Sequence, residues 1–150
     1  MPDVFTKAKR SQVMSRIRSR GNKETELALV KIFRANKIIG WRRHLEIRKE
    51  SGRRKFAVRP DFVFRQERLA LFVDGCFWHG CPKHCNQPAN NRAFWFRKLS
   101  ANKARDSLVT RTLRSANWRV LRIWEHTLRW ATRDTRNEAR LLRRIQRALV

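Results

Sequence analysis

Residues 59–85 read RPDFVFRQERLALFVDGCFWHGCPKHC. Two short apolar, β-prone runs, Phe62 to Phe64 and Leu69 to Val73, are joined by the polar link RQER. That pattern predicts a tight hairpin or two adjacent strands. Asp61 opens the first run and Asp74 closes the second, so pairing could bring both carboxyls to one divalent cation. Magnesium suits such a place, because it takes one or two carboxylates, a carbonyl, and waters shared with a phosphate. The plainer reading is a salt bridge from each acid to one of the 37 basic residues.

The second half of the stretch holds all three cysteines and two of the four histidines. Zinc in a structural site wants four nitrogen or sulfur donors in a tetrahedron. Cys76, Cys81 and His84 offer three, with Cys85 as the substitute for His84. His126 directly follows the apolar run WRVLRIWE and is the candidate for the fourth. The plainer alternative is buried cysteines that pack without metal. His79 is left over, and its ordinary pKa suits a general base at neutral pH. The competing reading makes His79 a zinc ligand in place of His84. Phe77 and Trp78 are consecutive, so an extended segment cannot turn both into one core. In a basic protein a projecting aromatic can stack on or wedge between bases, and Trp95 in AFWF is a third candidate. Otherwise Trp78 or Trp95 covers the zinc site.

Around this centre the chain predicts a mixed sheet flanked by helices. KETELALVKIFRAN (23–36) places Leu29, Ile32 and Phe33 at helical spacing, with Glu26 beside that face as a third candidate acid. Trp41, Arg43, Leu45 and Ile47 alternate with polar residues, Ser51-Gly52 signals a turn, and Phe56 and Val58 continue the extended pattern. Residues 94–117 predict a long basic helix with Ala101, Ala104 and Leu108 on its stripe. WRVLRIWE predicts a central strand buried on both faces. Thr135 with Glu138 predicts a capping box, followed by a helix on Leu141, Leu142, Ile145 and Leu149. Residues 1–22 form a polar basic arm, and 23–150 a single domain.

Composition narrows the partner. The chain has 150 residues, 37 Lys plus Arg against 12 Asp plus Glu, and a formal net charge of +25. A compact body so charged repels itself unless a polyanion screens it, and the excess of Arg over Lys suits bidentate phosphate contacts. A ribosome-like protein or a toxin for acidic surfaces would share that charge. No run of 18 apolar residues and no signal-peptide core is present, so the expected location is the cytoplasm and no membrane partner is expected.

The segments MSRIRSRGNKETE, RPDF, FVDGCFWHGCPKH, FW and WRVLRIWEH occur in this order in the very short patch repair (Vsr) DNA mismatch endonucleases, which the chain resembles from about Arg10 to Leu128. The resemblance implies a restriction-endonuclease-like fold with a structural zinc. It implies magnesium-dependent nicking of one strand of double-stranded DNA, next to the T of a T·G mismatch left by deamination of 5-methylcytosine. Asp61 matches the family's metal-binding aspartate, and His79 its catalytic histidine. Glu26 matches the helix glutamate, with Glu24 close enough to leave the register open. Phe77, Trp78 and Trp95 match the intercalating aromatics, and Cys76, Cys81, His84 and His126 the zinc set. The enterobacterial type has Thr-His where this chain has Val73-Asp74, so the Val73 carbonyl keeps its role and Asp74 becomes a further candidate ligand. The segment between Leu45 and Pro60 is longer and more basic than a minimal Vsr hairpin. The expected partners are mismatched duplex DNA and a MutL-type repair protein, with the enzyme a monomer at the bacterial nucleoid. The rival readings are a nuclease of the same fold without T·G specificity and a non-catalytic zinc module that binds DNA.

Overall fold

The structure is a computed structural model that describes residues 23–76, 81 and 90–150. The arm expected over residues 1–22 lies outside the described residues. Helix α1 (Lys23–Ala35) leads into strand β1 (Trp41–Arg43). Strands β2 (Ile47–Ser51) and β3 (Arg54–Val58) form a hairpin, followed by β4 (Phe62–Phe64) and β5 (Leu69–Asp74). Helix α2 (Arg92–Ser115) then crosses to β6 (Arg119–Trp124), and α3 (Glu125–Arg133) and α4 (Thr135–Leu149) close the chain.

One sheet has the order β1-β4-β5-β6, and the β2-β3 hairpin stands as a separate two-stranded sheet. β4 and β5 pair antiparallel with Phe62 opposite Leu71, as the sequence predicts. β5 and β6 run parallel, Leu69 opposite Arg119 and Asp74 opposite Trp124. A parallel pair needs a crossover, and α2 supplies it. The alternation of side chains sorts the sheet into two faces. Phe62, Phe64, Leu69, Leu71, Val73 and Ile123 join α1, α3 and α4 in the larger core. Val63 and Ala70 face the other way, with Leu113 of α2 and with Ile47 and Val58 of the hairpin. Phe33 of α1 binds the larger core together through edge-on contacts with Phe62 and Phe64.

Four expectations need correction. WRVLRIWE is an outer strand of the described sheet, with Arg119 exposed and only Ile123 fully buried. Its apolar run arises because helices cover both of its faces, while β4 and β5 hold the centre. The extended pattern from Trp41 to Ile47 is cut in two at His44, whose φ of 56° ends β1. The last helix is capped by Asp134, whose side chain accepts from the Arg136 N–H, so Thr135 is already helical. On α2 the inward stripe is Trp95, Leu99 and Leu113, while Leu108 is 53% exposed. A basic helix with few apolar residues leaves its face to be chosen by what the sheet offers. Leu113→Ala should therefore cost about 2–5 kcal/mol and Leu108→Ala under about 0.5. Chemical denaturation of the two variants checks this, and equal losses would put α2 in the wrong rotation.

Candidate active site and metal cluster

Pairing of β4 with β5 places Asp61 against the far end of β5, and the Val73 N–H donates to Asp61 Oδ2 at 2.7 Å. Glu26 reaches the same place from α1. All three acids are buried, Glu26 at 2% exposure, Asp61 at 6% and Asp74 at 5%. Glu26 Oε2 is held by Arg43 and by His44 Nε2 at 3.3 Å. Its Oε1 finds no hydrogen-bond donor among the described residues. Two carboxylates cannot bond each other, but one proton between them changes that. Burial, a hydrogen bond to Glu26, and repulsion from Glu26 and Asp74 push Asp61 up to about 8, against the pull of the Val73 N–H. Burial acts upward on Glu26 too, but the Asp61 proton, Arg43 and His44 outweigh it and hold Glu26 below the ordinary range. The pair thus keeps one proton near neutral pH, in a place where oxygen donors would suit a divalent cation.

Asp74 has a different neighbour. Its Oδ1 accepts from Arg122 Nη1 at 2.9 Å. Arg122 also bonds the Thr110 hydroxyl and the Asp106 carbonyl of α2, and lies 4.4 Å from the Phe72 ring centre. Among the described residues, Glu26, Asp61 and Asp74 do not converge as a trio of ligand atoms within 4.8 Å; that spacing is met by Cys76, Cys81 and His126. Asp61, Val73 and Asp74 nevertheless line one depression, with Arg59, Arg105 and Arg122 around it. A carboxylate floor under an arginine rim can take a phosphate near a cation.

The thiol–imidazole cluster follows from strand register. β5 and β6 pair with an offset of fifty, as in Asp74 with Trp124, so two residues further on Cys76 meets His126 at the start of α3. A Cys81 N–H to Cys76 carbonyl bond of 2.9 Å brings Cys81 back to the same point. His126 Nδ1 lies 3.3 Å from Cys76 Sγ and 3.6 Å from Cys81 Sγ. Zinc bonds of about 2.3 Å to sulfur and 2.0 Å to nitrogen, at a tetrahedral angle, set sulfur and nitrogen about 3.5 Å apart. The three donors therefore fit such an ion. Burial pushes the Cys76 thiol up to about 11; His126 opposes this, and Cys81 and Glu125 add to it. Trp124 stacks on the His126 ring, and Trp130 packs against it at 4.8 Å.

The structure thus unites Glu26, Asp61 and Val73, and separately Cys76, Cys81 and His126. Glu26, one of the two acids considered on that helix, is buried beside Asp61. Phe77, Trp78, His79, His84 and Cys85 lie outside the described residues. Trp95 is 5% exposed in the first turn of α2, with Phe94 and Phe96 exposed on either side. Sequence reasoning missed Arg43, His44 and Arg122. The available signals were a cationic RRH at a strand end and an Arg in the middle of the apolar run WRVLRIWE.

A basic α/β domain with buried carboxylates at paired strand ends, an arginine rim and a thiol–imidazole knot has the build of a nuclease. The family described as DNA mismatch endonuclease Vsr matches residues 2–87. A type II nicking enzyme, V.NmeDIP of Neisseria meningitidis serogroup C, is 37% identical over 126 residues, covering 83% of this chain and 78% of its own. V.NaeI of Lentzea aerocolonigenes, also a type II nicking enzyme, is 52% identical over 69 residues, 46% of this chain and 42% of its own length. The DNA mismatch endonuclease Vsr of Escherichia coli is 42% identical over 74 residues, 47% and 46% of the two chains. This chain belongs to the Vsr family of DNA endonucleases.

Proposed function

We propose that the protein nicks one strand of double-stranded DNA next to the T of a T·G mismatch, in very short patch repair of deaminated 5-methylcytosine. The observation that carries this is buried Asp61, paired with Glu26, bonded to the Val73 N–H and lining an arginine-rimmed depression. Asp61 and the Val73 carbonyl would hold magnesium, with Asp74 the further ligand if it exchanges Arg122 for the cation. Magnesium, when bound, supplies Lewis-acid polarisation of the phosphate. His79 takes the proton from the attacking water, Glu26 with Arg43 and His44 fixes Asp61, and the rim arginines meet the added negative charge. Cys76, Cys81, His84 and His126 would hold a structural zinc and so anchor the segment carrying Phe77 and Trp78. These two stack at the mismatch, where unstacking costs least. Trp95 would have to leave its buried position to join them.

The substrate is mismatched duplex, and the nick would be passed to a MutL-type repair protein. The enzyme acts as a monomer in the bacterial cytoplasm, at the nucleoid. No described helix is long and apolar enough to cross a membrane. A second reading is a nicking enzyme indifferent to T·G, because the names of the type II nicking relatives specify nicking and no mismatch. Parallel cleavage of T·G and matched duplexes with magnesium separates the two. Stacking is worth about 1–3 kcal/mol per base, so T·G should be nicked roughly 10–100-fold faster. Equal rates on both duplexes would support the second reading, and no nick in either would remove both.

A further inference from the structure

The β2-β3 hairpin is bonded to no strand of the main sheet. Ile47 and Val58 at its base pack on Leu113, and Lys49 reaches the Ser115 hydroxyl at 2.9 Å. Gly52, at φ 61°, turns the chain at its tip. Arg53, Arg54 and Lys55 follow in a row, all exposed and none in an ion pair among the described residues. At the base the arrangement is the opposite, since Glu46 is clamped by Arg48 at 2.7 Å and Arg59 at 3.2 Å. Glu50 stands opposite Lys55 in register without forming a pair. Three adjacent like charges repel, and no acid among the described residues neutralises them.

The base of the hairpin adjoins the candidate active site, because Val58 and Arg59 line the same depression as Asp61. Eight residues separate Asp61 from Arg53, and a strand rises about 3.3 Å per residue, so the tip reaches at most about 26 Å. At about 3.4 Å per base step that is up to about seven base pairs. We propose that the Ile47–Val58 hairpin is an arm that contacts duplex DNA, its Arg53-Arg54-Lys55 tip gripping backbone phosphates several base pairs to one side of the nicked phosphate. This rests on the duplex substrate proposed above. The bland alternative is that the cations only guard an open strand edge against pairing with another chain.

The test uses the full chain with Arg53→Ala, Arg54→Ala and Lys55→Ala combined. A control carries Arg136→Ala, Arg140→Ala and Arg143→Ala on α4, which packs against the other face of the sheet. Binding to a labelled matched duplex is measured in chelator across a salt series, followed by hydroxyl-radical footprinting. Each phosphate contact contributes about 0.9 to the slope of log affinity against log salt, so the hairpin variant should lose about 2.7. Its footprint should shorten on one flank only, and the control should keep the parental footprint. Arg53→Lys with Arg54→Lys should restore the slope, because lysine also neutralises phosphate. A hairpin variant with the control's slope and an unchanged footprint overturns the proposal. Loss of binding in the lysine version at one DNA sequence alone would mean base reading and would also overturn it. Because no cleavage is involved, failure of T·G nicking leaves the hairpin result standing. A parent that binds no duplex overturns both.

Discussion

Asp61→Asn should reduce nicking by roughly a thousandfold or more while leaving duplex binding intact. Lewis-acid stabilisation by a metal is worth several kcal/mol, and each 1.36 kcal/mol is a decade in rate. A neutral amide gives up the charge that would hold the cation, but binding comes mainly from surface arginines and phosphates. The same substitution should raise stability in chelator. The carbonyl of the new side chain can accept from the Val73 N–H, and its amide can donate to the Glu26 carboxylate in place of the Asp61 proton. The pH dependence follows from the raised Asp61 pKa. Between the ordinary 3.8 and about 8 the folded protein keeps a proton that the unfolded chain has lost. The contribution of that proton to stability is complete below the ordinary value. It shrinks as pH rises and is gone above about 8. Asparagine has no such proton to lose, so its advantage in melting temperature should widen from pH 5 to pH 8 to several degrees. Nicking at a near-parental rate would show that Asp61 is not the metal residue. A stability gap that narrows with pH would show that the Asp61–Glu26 proton is absent.

His126→Ala should have the opposite profile, with stability lost first and activity with it. The Cys76–Cys81–His126 cluster draws on the end of β5, the following turn and the first turn of α3. An ion there ties β5 to β6 and α3 beyond their hydrogen bonds. Structural zinc sites contribute directly to folding, by about 10–16 kcal/mol in zinc-finger peptides. Removing one donor should release the metal and leave two buried thiols without it. The variant is expected to purify without zinc and to melt at least about 10 °C lower, or not to fold. His126→Cys should retain zinc, since sulfur replaces nitrogen at similar reach. Metal analysis and melting on the parent and both variants decide the matter. A folded parent without zinc, or an alanine variant with parental zinc, would remove the site.

Local pattern carried much of this protein. Period-two alternation is a property of each strand, so Phe62–Phe64 and Leu69–Asp74 could be paired from the sequence, with an acid at each outer end. Helical spacing around Leu29 and Phe33 placed Glu26 near the core, and the motif order around DGCFWHGCP pointed to the family. His126 was within reach of inference because it ends a strand-like run. Its adjacency to Cys76 was not, because it depends on β6 lying parallel to β5 with an offset of fifty residues. That register is set by how α2 packs across the sheet, and α2 is too polar for its sequence to say which face turns inward. The same packing decided that Leu113 is core and Leu108 is surface, and that Arg122 crosses from β6 to Asp74 and α2. It also set β6 at the side of the sheet while its apolar run suggested the centre, since helices on both faces call for apolar residues on an outer strand too, even though only Ile123 of β6 is fully buried. Residue chemistry and short-range periodicity are written in neighbouring positions. Register and rotation between segments tens of residues apart exist only once the elements compete for the same core.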